Sequence, residues 1–494
     1  MSENIFSTFA KAAARNPERT FLEGLDYAFR YGEMLDYSAR VAGALREAGL
    51  KPGDRVVVQV EKSPTCVWLY LGCLRAGIVF VPLNTAYTPS EMAYFIEDAE
   101  PALIICTAAA LNTLQTPIRS WTIEADESGT FAEACAAAIQ DETIAQRIDG
   151  DVAAILYTSG TTGRSKGAML THGNLFSNVT ALNEIWRWQD DDVLLHTLPI
   201  FHAHGLFVAL HCSLFRATTV LFRPKFKAEQ VLADLPKATV FMGVPTFYVR
   251  LLKLDGFDRD LTRHMRLFIS GSAPLNEPVF EAFEARSGQR ILERYGMTEA
   301  LMITSNPYEG ERVAGTVGMP LPGVSARIEE AAGDGPGVLE IAGPNIFASY
   351  WRNPEKTAEA FTADGWFRTG DIAEIDSDGR IRLIGRSSDL IITGGYNVYP
   401  KEIEILIDDV PGVEESAVIG VPHPDFGEAV LAVVVARGED PELTDAIFQA
   451  LRPELAAFKL PKHIVIVREL PRNALGKIEK AALRRHNVNA FTVA

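Results

Sequence analysis

A segment with the composition of a phosphate-binding loop follows the apolar, strand-like residues 152–156. Its sequence is Thr158-Ser159-Gly160-Thr161-Thr162-Gly163-Arg164-Ser165-Lys166-Gly167. Glycines allow the backbone to approach a ligand closely, and hydroxyls, backbone N–H groups and two cations suit a phosphate chain. The order Ser-Lys-Gly differs from the Gly-Lys-Ser/Thr of a Walker A loop. The alternative is an ordinary Gly/Ser/Thr-rich surface loop. We predict that six of these residues bind nucleotide phosphates: Thr158, Ser159, Gly160, Thr161, Thr162 and Lys166.

A second group of polar side chains lies in Glu293-Arg294-Tyr295-Gly296-Met297-Thr298-Glu299. A carboxylate such as Glu299 beside a triphosphate suits Mg²⁺, which takes one or two carboxylates together with substrate phosphates. Thr298 offers a hydroxyl to an α-phosphate, and Tyr295 offers a flat face to adenine. We assign Glu293 to the same nucleotide site. The alternative is a turn at a helix start, capped by Thr298 or Glu299.

Two further segments predict contacts to a ribose. Asp371 ends Gly365-Trp366-Phe367-Arg368-Thr369-Gly370-Asp371, and its carboxylate could accept two hydrogen bonds from ribose hydroxyls, as acidic residues do in dinucleotide sites. A turn-stabilising Asp is the alternative. Arg386, in Gly385-Arg386-Ser387-Ser388-Asp389, could contact the ribose or the α-phosphate.

Together with Pro471-Arg472-Asn473-Ala474-Leu475-Gly476-Lys477, these segments resemble, in order, the signatures of the adenylate-forming superfamily. That superfamily contains acyl-CoA synthetases, adenylation domains of peptide synthetases and luciferases. The resemblance extends from about residue 6 to residue 483. It implies an enzyme that forms an acyl-adenylate from a carboxylic acid and ATP, with Mg²⁺, and then transfers the acyl group to coenzyme A.

The resemblance also assigns roles near the C-terminus. It implies that Lys477 is catalytic in adenylation, and a fixed cation is what the charge of such a transition state requires. It implies a small C-terminal domain that rotates between the two half-reactions about a hinge at Ser388, where family members often carry Asp or Lys. Gly394 and Gly395 resemble the segment that lines the pantetheine channel.

Three stretches resemble an acid pocket: Phe201–Gly205, Gly243–Arg250 and Ser270–Pro274. They supply His202, Arg250 and Ser270, and we add Met297 from the Glu293–Glu299 segment. Arg250 stands in the apolar, helical FYVRLL, where it either extends to solvent or binds a second carboxylate with its planar guanidinium. The combined pattern is similar to malonate-activating members of the superfamily. It therefore implies malonate as the preferred acid, with methylmalonate as a secondary substrate.

Composition excludes several other functions. The 494 residues carry a formal net charge of −17, which argues against a sequence-independent nucleic-acid binder. We see no secretory signal and no apolar run of the ~18 residues that a membrane span requires, so we predict no membrane partner. Five cysteines without a C-x-x-C pair indicate thiols in a reducing compartment, and we predict a cytoplasmic protein.

Short apolar runs alternate with helical patterns, such as those at residues 37–48 and 64–75. This alternation predicts an α/β fold. We expect residues 1–387 to form a large domain of covered, mainly parallel sheets with a small β-rich subdomain. Residues 388–494 would form a small, mobile α+β domain.

Other members of the same superfamily provide the competing functions. The enzyme could activate a medium-chain or aryl monocarboxylic acid, or load the thiol of a separate carrier protein instead of CoA. Only 17 residues follow Lys477, so we expect no carrier domain within this sequence. Nothing in the sequence requires the oxygen chemistry of a luciferase.

Overall fold

The computed structural model describes residues 4–158, 165–329, 336–393, 396–423, 426–438, 441–455, 457–473 and 476–491, with the backbone alone for Asn397. The chain divides into two compact units. The first unit contains Met1–Ser325 and Ala342–Phe367, and the second contains Ala326–Ile341 and Arg368–Ala494. The second unit thus includes residues on both sides of the predicted domain boundary at residue 387, which stays a prediction.

The helices of the described residues form the covering layers of both units. In chain order they are α1 (Ile5–Arg15), α2 (Tyr31–Glu47), α3 (Pro64–Ala76), α4 (Pro89–Ala99), α5 (Ala108–Leu114), α6 (Thr130–Ala137), α7 (His172–Ile185), α8 (His211–Arg216), α9 (Ala228–Asp234), α10 (Pro245–Leu252), α11 (Arg259–Thr262), α12 (Glu277–Ser287), α13 (Pro354–Ala360), α14 (Pro400–Asp408), α15 (Leu443–Glu454) and α16 (Lys480–His486). A π-helical segment, His204–Leu210, directly precedes α8.

The strands of the described residues form four sheets. In chain order they are β1 (Thr20–Glu23), β2 (Ala28–Arg30), β3 (Arg55–Gln59), β4 (Val79–Pro82), β5 (Leu103–Cys106), β6 (Ser120–Thr122), β7 (Val152–Thr158), β8 (Lys166–Thr171), β9 (Val193–His196), β10 (Thr219–Phe222), β11 (Val240–Gly243), β12 (Leu267–Ser270), β13 (Leu292–Met297), β14 (Leu301–Ser305), β15 (Met319–Pro320), β16 (Ser325–Ile328), β17 (Gly337–Ala342), β18 (Phe367–Ile375), β19 (Ile381–Arg386), β20 (Ile391–Thr393), β21 (Tyr396–Val398), β22 (Val413–His423), β23 (Gly427–Ala436) and β24 (His463–Val467).

The first unit is built on two large sheets. One has the order β6-β5-β3-β4-β7-β8 and is parallel except for the β7–β8 hairpin. The other has the order β15-β14-β13-β12-β11-β9-β10-β1-β2, with parallel pairing from β1 to β13. Fully buried strands such as β5 and β12 show why the sequence reads there as continuous apolar runs. The predicted fold class is confirmed.

Local signals fix the ends of the helices that cover these sheets. The hydroxyl of Ser63 accepts a hydrogen bond from the backbone N–H of Cys66, Pro64 occupies the first turn, and Gly77 ends α3 with φ 71°. These are the expected start and stop signals of a helix. The pattern at residues 37–48 belongs to a helix that begins earlier, at Tyr31, where Glu33 accepts a hydrogen bond from the N–H of Arg30.

The second unit contains the two smaller sheets. The four-stranded sheet has the order β16-β17-β18-β19, and β20 to β24 form a five-stranded sheet packed against α14 and α15. No helix of the described residues is both long enough and apolar enough to cross a membrane.

A buried ion pair ties α9 to the end of β10 in the nine-stranded sheet. Arg223 donates from Nε and Nη2 to the two carboxylate oxygens of Asp234, at 2.6 and 2.8 Å. Both side chains are almost completely buried, at 3% and 6% exposure. The remaining nitrogen, Nη1, donates to the carbonyl of Glu23 at the end of β1. Each charge is therefore compensated where water does not reach.

Removing one partner of this pair should be strongly destabilising. The Asp234→Ala change leaves a buried guanidinium without its counter-charge, which typically costs about 3–5 kcal/mol. The measurement is the midpoint of urea-induced unfolding. Replacing both residues, by Arg223→Met with Asp234→Leu, should recover most of the loss, because neither charge is then desolvated. A double variant as unstable as the single variant would contradict this account.

Candidate active site

The candidate residues of the first unit lie where parallel strands end. β9, β11 and β12 are neighbours in the nine-stranded sheet and end at His196, Gly243 and Ser270, and β13 pairs with β12 and continues to Met297. Ligands of open α/β sheets bind outside the carboxyl ends of the strands. A contact between Lys62, just beyond β3, and His196 brings the corresponding end of the six-stranded sheet to the same region.

The predicted phosphate loop begins and ends on a β-hairpin. Thr158 and Lys166 are paired residues at the ends of β7 and β8. Ser159, Gly160, Thr161 and Thr162 lie outside the described residues. The Nζ atom of Lys166 lies 4.1 Å from the ring centroid of Tyr350. A cation is thus held beside an aromatic face at the edge of the loop.

Glu299 occupies the tight turn between β13 and β14. The alternative reading of Thr298 and Glu299 as helix caps is wrong, because the strand continues to Met297 and a second strand begins at Leu301. Glu299 is 7% exposed, and its Oε1 accepts a hydrogen bond of 2.9 Å from the hydroxyl of Tyr350. Its carbonyl accepts from the N–H of Phe347 at 2.6 Å. The turn is therefore anchored on both its backbone and its carboxylate.

Tyr350 connects the two motifs, and the sequence analysis missed it. It contacts Lys166 with its ring and Glu299 with its hydroxyl. Burial raises the pKa of the Tyr350 phenol, and the Glu299 carboxylate raises it further, so the hydroxyl stays a hydrogen-bond donor. The residue lies some fifty positions beyond Glu299 in a segment without motif character, and no signal in the sequence marks it.

The geometry of the Tyr295–Glu299 segment depends on an irregular strand. The β13–β14 register shifts between Tyr295 and Gly296. A Cβ atom at Gly296 would lie 2.0 Å from the carbonyl oxygen of Leu301, so only glycine fits. Tyr295 is buried, whereas Met297 and Thr298 are half-buried at the strand end.

Glu293 holds the neighbouring loop. It is buried at the point where β13 leaves β12, and its Oε1 accepts a hydrogen bond of 3.1 Å from the N–H of Leu275. This bond fixes the segment that follows Ser270. The predicted contact of Glu293 with a nucleotide stays a prediction.

A buried polar pocket forms where this loop meets β13 and the segment after β9. The hydroxyl of Ser272, a residue with the strained φ of 70°, lies 3.1 Å from Nδ1 of His204. Among the described residues, Nε2 of His204 and Oγ of the buried Ser270 have no hydrogen-bond partner. Such groups are rare in folded proteins and indicate a site that a ligand completes.

Arg294 supplies the positive charge of this pocket. It is 2% exposed, and its Nε and Nη2 have no hydrogen-bond partner among the described residues. A Cβ atom at Gly271 would lie 2.3 Å from Nη1, so the guanidinium occupies the space that the glycine leaves open. Burial lowers the pKa of Arg294 to about 9, which leaves it protonated at neutral pH. Arg294 stands within the Glu293–Glu299 segment of the sequence, but no role was assigned to it there.

The histidines follow β9 and lead into the π-helical segment. Nδ1 of the half-buried His202 accepts from the N–H of His204 at 3.2 Å. Burial lowers the pKa of His204 well below its ordinary value, and the charge of Arg294 lowers it further. His204 is therefore neutral at physiological pH. π-Helical turns concentrate at functional sites, and this one begins at His204.

Arg250 is exposed in the last turn of α10 and lines a surface cleft with Lys227, Glu229 and Lys253. The apolar residues of the same helix, including Tyr248 and Leu251, take the buried face instead. Of the two alternatives for Arg250, this position agrees with extension to solvent, and the binding of a second carboxylate stays a prediction.

The remaining candidates lie in the second unit. Nε of Arg386 lies 3.1 Å from Oδ1 of the buried Asp371, its cross-strand partner in β18–β19. Ser388 is exposed in a 3₁₀ turn that follows Arg386. Lys477 is half-buried. Gly394 and Gly395 lie outside the described residues.

The residues present fit a magnesium ion that a nucleotide brings with it. No group of three or more His, Cys, Asp or Glu side chains with metal-binding spacing occurs among the described residues. The single carboxylate of Glu299 nevertheless suffices, because Mg²⁺ bound to phosphates takes one or two protein carboxylates.

Comparison with known proteins identifies the family. Residues 9–351 match the family described as AMP-binding enzyme, and residues 402–477 match the AMP-binding enzyme C-terminal domain. The chain belongs to the AMP-binding enzyme family. The resemblance found in the sequence is thus confirmed.

Three relatives cover nearly the whole chain. Malonate–CoA ligase of Arabidopsis thaliana is 34% identical over 97% of this chain and 88% of its own length. The mitochondrial malonate–CoA ligase of Homo sapiens is 36% identical over 92% of this chain and 88% of its own length. The crystal structure of ATP-bound MatB from Rhodopseudomonas palustris superposes with a TM-score of 0.94 and 46% identity, over 100% of both chains.

The unused hydrogen-bond donors of Arg294 lead to a prediction about stability. Arg294→Met should leave the unfolding midpoint unchanged or raise it, because a buried cation without hydrogen-bond partners opposes folding. The matched control is Arg266→Met. Arg266 is half-buried and donates to both oxygens of Asp192, at 2.9 and 2.5 Å. The control should be destabilised by about 3–5 kcal/mol. Equal destabilisation of both variants in urea would contradict an unpaired role for Arg294.

Proposed function

We propose that this AMP-binding enzyme is an ATP-dependent carboxylate–CoA ligase that prefers malonate and uses methylmalonate second. The observation that carries the choice of acid is the buried Arg294, whose guanidinium faces a pocket with His204 and Ser270 and has unused donors. The names of the relatives agree with this choice, since two are malonate–CoA ligases.

The proposed reaction has two steps. A carboxylate oxygen of the acid attacks the α-phosphorus of ATP, the bond to the β-phosphate oxygen breaks, and pyrophosphate leaves. The thiol of CoA, having lost its proton, then attacks the carbonyl carbon of the acyl-adenylate, and AMP leaves with the electrons of the acyl–oxygen bond. These displacements depend on positioning and on stabilising charge more than on covalent help from the protein.

Several side chains would position the nucleotide. Lys166 would place a cation near the phosphates, Thr298 would donate its hydroxyl to the α-phosphate, and Asp371 would accept from the ribose. Glu299 would hold Mg²⁺. When bound, that ion would neutralise part of the phosphate charge. Tyr350 keeps the Glu299 carboxylate oriented in advance. Such fixed groups stabilise charge without reorganising during the reaction.

Lys477 would act in the first step only. Its ammonium would bridge the attacking carboxylate and the α-phosphate, where negative charge develops. We further propose that Ser388 is the hinge for a movement of the C-terminal domain, with the boundary at residue 387, and that Gly394 and Gly395 contact pantetheine. Arg386 would contact the ribose or phosphate beside Asp371, and Glu293 and Tyr295 would contribute to the adenine side.

The acid pocket explains why a dicarboxylate would be favoured. One carboxylate of malonate acts as the nucleophile. The second stays ionised, and in a site shielded from water it needs a cation as its partner. Arg294 offers two such N–H donors, and the neutral His204 and the Ser270 hydroxyl can donate as well. His202 and Met297 lie on neighbouring segments and would line the pocket. A half-made charge pair costs about 2–5 kcal/mol, or about 30- to several-thousand-fold in rate.

The cysteines bear on the cellular compartment in which the enzyme acts. All five cysteines are free thiols, and four of them are buried. Free thiols suit a reducing compartment, and we propose the cytoplasm.

The test is an acid panel with ATP, Mg²⁺ and CoA, followed by AMP release. Malonate should give the highest kcat/KM. Methylmalonate should be about 5- to 150-fold lower, since a single carbon changes binding by about 1–3 kcal/mol. Acetate, octanoate and benzoate should be rejected by at least about 30-fold. Replacing free CoA by a carrier-protein thiol in a parallel assay separates the carrier-loading alternative.

Two variants assign the carboxylate contact. Arg294→Met should lower kcat/KM for malonate by about 30-fold or more, while the ratio of malonate to acetate falls toward one. Arg250→Ala serves as the exposed-arginine comparison and should retain most of the selectivity. If Arg250→Ala alone abolished the preference, the assignment to Arg294 would be lost. If octanoate or benzoate gave most of the AMP, the ligase would stand and malonate would not.

A further inference from the structure

The loop that carries Lys477 is closed upon itself. The N–H of Asn473 donates to the carbonyl of Lys477 at 2.9 Å, and the N–H of Glu479 donates to the carbonyl of Pro471 at 2.8 Å. The side chain of Asn473 accepts from the N–H of Lys477 at 3.1 Å. The backbone of Lys477 is therefore held by hydrogen bonds to Asn473, and the loop is closed between Pro471 and Glu479.

Each end of this loop is held by an ion pair to another element of the second unit. Before Lys477, Arg472 pairs with Glu415 of β22 and also donates to the carbonyl of Gly476 at 2.6 Å. After Lys477, Nζ of Lys480 lies 2.5 Å from Oε1 of Glu404, which belongs to α14. Lys480 is the first residue of α16, so this pair fixes the start of that helix.

The Glu404 pair is the more enclosed of the two. Its side chains are 9% and 18% exposed for Glu404 and Lys480, against 29% and 33% for Glu415 and Arg472. Oε1 of Glu404 also accepts a hydrogen bond of 2.9 Å from the N–H of Val418 in β22. The carboxylate is thus fixed by the sheet before it binds Lys480. An ion pair shielded in this way is less weakened by salt than an exposed one.

We propose that Glu404 is a positioning residue for adenylation. It holds Lys480, and with it the loop that presents Lys477 to the reacting phosphate. A flexible four-carbon stem needs such support, since a displacement of about 1 Å at a catalytic group can cost about 100-fold in rate. This inference rests on the proposed function and on the proposed role of Lys477. Thioester formation, in which Lys477 has no role here, should not depend on Glu404.

The test measures the two half-reactions separately in the full-length protein. Adenylation is followed by malonate-dependent exchange of pyrophosphate into ATP, and thioester formation by the conversion of supplied malonyl-adenylate and CoA to malonyl-CoA. The variant is Glu404→Gln, whose amide oxygen can still accept from Val418 while the charge is lost. Exchange should fall by about 10- to 100-fold. Thioester formation should stay within about twofold of wild type.

Two comparisons separate positioning from general damage. Lys459→Met breaks a similar ion pair to Glu402 on the same helix, at 2.7 Å, but away from the loop. Both half-reactions should stay near wild type in that variant. In a double-mutant cycle, Glu404→Gln with Lys480→Met should lose no more exchange than the more impaired single variant, because both changes remove one interaction.

Three results would overturn the inference. They are unchanged exchange in Glu404→Gln, an equal loss in both half-reactions, and additive losses in the cycle. A wild-type protein without acid-dependent exchange for any acid would instead contradict the proposed function. Failure of the inference is thus distinguishable from failure of the proposed function, because the three results above can be observed only with an active wild-type enzyme.

Discussion

The polar cluster around His204 and Ser270 is governed by one buried guanidinium, that of Arg294, whose hydrogen-bond donors the folded chain leaves partly unused. Two well-enclosed arginines of the first unit are paired, Arg223 with Asp234 and Arg266 with Asp192. Arg294 is buried, and its Nε and Nη2 lack hydrogen-bond partners among the described residues. A cation in that condition raises the free energy of the folded protein. An anionic ligand that accepted hydrogen bonds from Nε and Nη2 of Arg294 would offset this cost.

The surrounding fold is arranged so that this charge stays available. β13 carries Arg294 just beyond the end of its pairing with β12, and Gly271 leaves room for the guanidinium on the adjacent loop. Glu293, the preceding residue, accepts a hydrogen bond from the N–H of Leu275 and so holds that loop. The negative charge of Glu293 also raises the pKa of Arg294 against the larger effect of burial.

Sequence patterns predicted the fold class and the family, because these depend on strand–helix alternation and on the composition and order of local motifs. They failed where tertiary contacts decide. Tyr350 is remote in sequence from both Lys166 and Glu299, and only the pairing of its segment with β8 brings it to them. The sequence left two alternatives open for Arg250, because an eight-residue helix with one arginine does not reveal which face the arginine takes. A detectable signal existed for Arg294, since a charged residue in a strand of a covered sheet demands a partner or a ligand.

The two units treat their cations in different ways. In the first unit, Nε and Nη2 of Arg294 are left without hydrogen-bond partners among the described residues. In the second unit the cations around Lys477 are paired: Lys480 binds Glu404 and Arg472 binds Glu415. Both pairs commit the charges of Lys480 and Arg472 to fixing the loop that contains Lys477. A cation with unused donors and cations held in ion pairs are thus opposite treatments of charge, and this chain contains both.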